Sequence, residues 1–137
     1  MKGDHCIVKL LQSSASYNTF VGGTEALARV QINNVPQGKP YPMCVVSVQS
    51  FEASGATKTA TTGFDEEVVQ VLHMAETAKA AADMATVART VLDYPTPGTY
   101  NAIELVSSML IDRDTFTEQL VDKLIHVEEQ LYKVITR

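Results

Sequence analysis

Between residues 43 and 92 the spacing of apolar side chains changes period once, and that change constrains the fold more than any other feature. Met43 to Phe51 and Phe64 to Met74 are short runs with β-branched, apolar centres (Val45, Val46 and Val48; Val68, Val69 and Val71), the composition of strands that bury at least one face. Glu76 to Asp93 then takes up a helical repeat. Ala78, Ala81, Ala82, Ala85, Ala88, Val91 and Leu92 recur three and four residues apart, with Lys79, Asp83, Thr86 and Arg89 on the opposite side. Small Ala side chains let such a helix lie close on a sheet, and Pro95, Pro97 and Gly98 end it. Glu52 to Gly63, between the two strands, is a loop of small and polar residues with little to bury, so the pair is expected to be a hairpin with a protruding tip.

The flanking segments extend this pattern. Asp4 to Gln12 reads as a short helix with Ile7, Leu10 and Leu11 on one face and Asp4 as N-cap or first-turn acid. Leu27 to Val35 reads as a first strand, and the prolines at 36, 40 and 42 forbid regular structure after it. Tyr100 to Asp112 is expected to be a strand, Arg113 to Asp122 a polar connection, and Lys123 to Ile135 the last strand. In that strand Ile125, Val127, Leu131 and Ile135 share one face, and Leu124, His126, Tyr132 and Val134 the other. The order α-β-β-β-α-β-β predicts one α+β domain over 1–137. Its sheet of about five strands would be mainly antiparallel or mixed, with a long hairpin, packed by an N-terminal helix and one Ala-rich central helix.

Charge and cysteine content limit the function. The net charge of −5 argues against tight nucleic-acid binding, which needs a basic patch to displace counterions. An acidic wall would instead let a duplex slide past. Cys6 and Cys44 are too few for a disulfide framework, and Cys44, inside an apolar run, is expected to be a buried free thiol. No signal peptide is expected, and no apolar run approaches the ~20 residues of a membrane span.

Residues that carry chemistry do not converge. His5, His73 and His126 lack the i, i+2 or i+4 spacing of metal ligands, and a local hydrogen bond is the expected lot of the strand histidines. Asp65-Glu66-Glu67 alternates across a strand, so its carboxylates point to opposite faces and suit a solvated strand start; Glu128-Glu129 splits in the same way. The glycines form no phosphate-binding loop, and neither Ser13-Ser14 nor Ser107-Ser108 has nucleophile-elbow context. The expectation is a non-enzymatic protein with no catalytic residue, cofactor or metal.

Three stretches together resemble a known family. Val35 to Pro42 followed by Met43 to Ser47 resembles the proline-rich turn and strand of tail completion and tail terminator (head-tail joining) proteins of long-tailed bacteriophages. Val69 to Val71 leading through Ala75-Glu76-Thr77 into the helix that ends at Val91-Leu92-Asp93 is similar to that family's strand-then-helix unit. Ser107 to Asp114, with the closing strand through Tyr132 to Ile135, looks like its C-terminal hairpin. The resemblance implies a structural virion protein, assembled in the host cytoplasm and placed at the tail-neck junction. There it would form a ring, commonly of six copies, that ends tube polymerisation. Its partners would be copies of itself, the tail tube protein and a head connector or stopper protein, with double-stranded DNA passing through the lumen without specific binding and no membrane involved. Contacts are expected at the hairpin tip (Phe51, Glu52, Lys58, Thr59, Phe64), at the connection (Arg113, Asp114, Phe116, Glu118), and at the N-terminal helix with Gly22-Gly23. The alternatives are a head completion or stopper neck protein, a small α+β ligand-binding or enzymatic domain, and an oligomeric scaffold outside any virus.

Overall fold

The structure, a computed structural model, describes residues 2–21, 29–33, 41–54 and 64–137, and the statements below concern these residues. The helices are α1 (Gly3–Ser13), α2 (Ala15–Phe20) and α3 (Ala78–Leu92). The strands are β1 (Val30–Ile32), β2 (Met43–Ser54), β3 (Phe64–Ala75), β4 (Gly98–Tyr100), β5 (Ile103–Gln119) and β6 (Leu124–Thr136). They form one sheet in the order β1-β2-β3-β6-β5-β4, with β1 parallel to β2 and every other neighbour antiparallel. The fold is therefore α+β on a mixed sheet, as the change of period predicts.

One face of the sheet carries the main core. Cys44 and Val46 of β2, Val69 and Val71 of β3, and Tyr132 and Val134 of β6 meet Ile7 and Leu11 of α1, Tyr17 of α2, and Met84, Ala88 and Leu92 of α3. Ala81 and Ala88 are buried within this core, so α3 can lie close on the strands. Thr77 starts that helix, its hydroxyl accepting from Ala80 N–H at 3.1 Å. On the opposite face a smaller cluster gathers Met43, Val45, Met74, Ile125 and Val127. Strand β6 is thus buried on one side near its start and on the other near its end, which is why apolar residues occupy both of its faces.

Several expectations need correction. The first strand is three residues long in the described part; residues 27, 28, 34 and 35 lie outside it. Glu52 to Ser54 belong to β2 rather than to a loop, and 55–63 lie outside the described residues. Arg113 to Gln119 is not a connection but the second half of a 17-residue strand, β5. That half is exposed on both faces, so no alternation of apolar and polar residues marks it, although Thr115, Phe116 and Thr117 suit a strand. Helix α2 and strand β4, six and three residues long, add to the expected elements.

The acid run at 65–67 also differs from expectation. Glu67 is 1% exposed and not part of a solvated strand start. Its carboxylate accepts from the N–H groups of Lys2 at 3.1 Å and Gly3 at 2.8 Å, and so supplies the cap that α1 lacks from its own side chains. A Cβ at residue 3 would meet Glu67 Oε2 at 2.6 Å, so the approach requires glycine there.

Candidate interaction surface

The buried polar groups of this fold are engaged with one another rather than aimed at a cleft. His73 of β3 is fully buried; its Nδ1 lies 2.7 Å from Tyr17 Oη and its Nε2 2.8 Å from Gln130 Oε1. Gln130 Nε2 donates to Ala85 O at 2.9 Å, which turns Gln130 Oε1 toward His73 and toward the Tyr132 hydroxyl at 3.0 Å. Nε2 of His73 therefore carries the proton, and Nδ1 accepts from Tyr17. Burial drives the His73 pKa down to about 4, so the ring is neutral at pH 7. Burial likewise pushes the Cys44 thiol up to about 12 and the Cys6 thiol to about 11; both are free and unreactive as thiolates. The network ties α2, α3, β3 and β6 together; His73 is hydrogen-bonded, but to partners 56 and 57 residues away in sequence rather than to local ones. Among the described residues no three His, Cys, Asp or Glu side chains come together as a metal site.

The surface that remains is built by β5. Its first residues pair with β4, Gly98 opposite Leu105 and Tyr100 opposite Ile103. The end of α3 then takes over, Tyr94 N–H donating to Ser108 O at 2.8 Å and the Asp93 carboxylate accepting from Leu110 N–H at 3.0 Å. From Ile111 to Gln119 one side of the strand pairs with β6, no described strand pairs with the other, and all nine residues are exposed. A bulge between Leu110 and Asp112 marks the start of this run and leaves Ile111 45% exposed. Between α3 and β5 lies an open groove of about 870 Å³, walled by Ala82, Thr86 and Arg89 on the helix and by Arg113, Asp114 and Thr115 on the strand.

The residues expected to make contacts fall into two groups. Arg113, Asp114, Phe116 and Glu118 share the exposed run of β5: Arg113 and Asp114 line the groove, while Phe116 pairs with Val127 and Glu118 with Ile125. Phe51 of β2, 48% exposed, and Phe64 at the start of β3 sit toward the other end of the sheet, where the Arg137 guanidinium lies 4.7 Å from the Phe64 ring centre. Glu52 pairs with Glu66 in the β2–β3 ladder. Lys58, Thr59 and Gly22-Gly23 lie outside the described residues. Helix α1 devotes Cys6, Ile7, Val8, Leu10 and Leu11 to the core and leaves Lys9 exposed. Sequence reasoning missed Ile111 and the groove, because both depend on a bulge and on a long-range pairing that no local pattern marks.

No family model matches the chain, and no curated protein matches it in sequence. The fold has a counterpart among solved structures. A chain in the virion of a native gene transfer agent particle superposes with a TM-score of 0.62 over 96% of this chain and 91% of its own length, at 16% identity. That likeness establishes a shared α+β architecture.

Proposed function

We propose that this chain is a structural virion protein without enzymatic activity. It forms a ring at the head-proximal end of a phage-type tail tube, at the tail-neck junction, after assembly in the host cytoplasm. The ring ends tube polymerisation and presents a surface to the head connector or stopper protein. The carrying observation is the fold shared, nearly end to end, with a chain of a gene transfer agent virion. Two features support it: the buried polar groups form a closed network, and the exposed half of β5 offers backbone and side chains to a neighbour rather than to a small molecule. A ring requires contacts between unlike patches that close by rotation, and six copies of a globule this size leave a central hole that duplex DNA traverses. The tip residues Phe51, Glu52, Lys58, Thr59 and Phe64 and the β5 residues Arg113, Asp114, Phe116 and Glu118 are the proposed contacts with neighbouring copies and with the tail tube.

Deleting the gene and imaging the particles tests this. Overlong tails are the expected outcome. Tails of normal length detached from heads would replace the terminator reading with that of a head completion or stopper protein. Absence of the protein from purified virions would remove both.

A further inference from the structure

The ion pairs of this chain are unevenly placed. Asp65, Glu66, Glu76, Asp83, Asp93 and Glu104 each hold a Lys or Arg at 2.7–3.6 Å. Asp112, Asp114 and Glu118, on the exposed run of β5, make no ion pair among the described residues. Lys9 is exposed and equally without an ion pair among the described residues. It lies one turn before Gln12, whose side-chain amide donates to Val30 O of β1. In the sheet, β1 is an edge strand separated from β5 by β2, β3 and β6. Arg113, between the two aspartates, makes no ion pair among the described residues either, so the run sets three carboxylates against one guanidinium and is acidic on balance.

Two-fold pairing of this edge with the same edge of a second copy is disfavoured in the registers centred on residues 112–116. Two β5 edges meeting antiparallel about a two-fold axis must keep matching faces, so the axis passes through a residue. Centred on Asp112 or Asp114, that residue meets itself; on Arg113, Asp112 meets Asp114; on Thr115, Asp112 meets Glu118; on Phe116, Asp114 meets Glu118. Like charges directly opposite are unfavourable in every one of these registers. The carboxylates of Asp112 and Asp114 already accept from the N–H groups of Arg113 and Thr115, each at 2.8 Å, which blunts the edge as a strand template.

We propose that the β5 edge from Ile111 to Gln119 is an interface with a second copy of this chain, and that copies meet head to tail, the β5 carboxylates of one against the Lys9 side of the next. The inference rests on the ring reading and names the contact that closes the ring. Size supports a ring over a dimer. A nine-residue strand is ~30 Å long and offers a strip of roughly 300–400 Å², below the ~800 Å² per partner of a stable pairwise complex. A ring in which each copy makes this contact twice gains from closure what one contact lacks.

Sedimentation velocity over a wide concentration range tests it, with two variants whose exposed substitutions leave the thermal transition unchanged: Asp112→Lys/Asp114→Lys and Lys9→Glu. The expected result is that the wild type associates, more tightly at low salt, and that each variant alone associates about tenfold more weakly. An equimolar mixture of the two then recovers assembly, because basic β5 edges meet the acidic position 9 and acidic edges meet Lys9. If both variants assemble as the wild type does, the β5 contact is refuted while the ring reading stands. If the wild type forms a stable two-fold dimer, or no assembly at any concentration, both fall.

Discussion

At His73 the cost of enclosure becomes a dependence of stability on pH. Its folded-state pKa, about 4, lies below the value near 6.5 of the unfolded chain, so as pH falls the unfolded chain takes up the proton first. Stability from this group is intact above about pH 7, declines as pH drops through 6.5, and is lost in full below about pH 4. The whole shift corresponds to about 3 kcal/mol, of which about 2 kcal/mol is gone by pH 5. Urea midpoints at pH 7 and pH 5 measure this. His73→Gln is expected to lower stability at pH 7 and to flatten the slope between the two pH values, and an unchanged slope would assign the titration to another group. Glu67 acts by a different route. Its carboxylate is the N-terminal cap of α1, brought from a strand 64 residues away in sequence, and Glu67→Gln keeps the shape while removing the charge that the helix end favours. The expected loss is about 1–2 kcal/mol at pH 7, read from the same unfolding curves.

Among the elements, those with an unbroken period were legible and those defined by partners were not. The β-branched centres of β2 and β3 and the Ala repeat of α3 report burial through their own spacing, and each was placed to within about three residues at either end, the end of β2 being the least accurate. The distal half of β5 buries neither face, so Arg113 to Gln119 reads as a polar connection although β6 holds it as a strand. Strand β4 is three residues long and is joined to β5 by Asn101-Ala102, both in the left-handed region with φ of 54° and 63°. A tight hairpin turn of that kind is usually announced by glycine, and Ala102 conceals it. The same residue makes the turn testable. Ala102→Gly relieves a backbone conformation that costs a side chain about 1 kcal/mol, and the melting temperature is expected to rise by a few degrees. Of the candidate contacts, Arg113, Asp114, Phe116 and Glu118 were found as a cluster of exposed residue types, whereas the free edge that gives them a common purpose required the pairing of β5 with β6 and its release from Asp93 at Leu110.

Across the whole molecule the cations are mostly spent internally: Lys2, Lys79, Arg89, Lys123, Lys133 and Arg137 each face a carboxylate. Phosphate binding draws on unpaired Lys and Arg that displace counterions, and a chain of net charge −5 offers a duplex repulsion instead. The proposed role needs this, since DNA crossing a neck must not be held there. The wild type is therefore expected to leave the mobility of duplex DNA unchanged in a gel, even at an ionic strength of ~20 mM, where non-specific binding is strongest. Reversing Asp112, Asp114 and Glu118 to Lys supplies a basic strip in place of the acidic one, and the variant is expected to retard the duplex with a log–log salt slope no steeper than about −3, one counterion released for each new cation. Retardation by the wild type with a steep salt slope would mean that the protein binds duplex DNA, and the proposed passage of DNA without binding would fall.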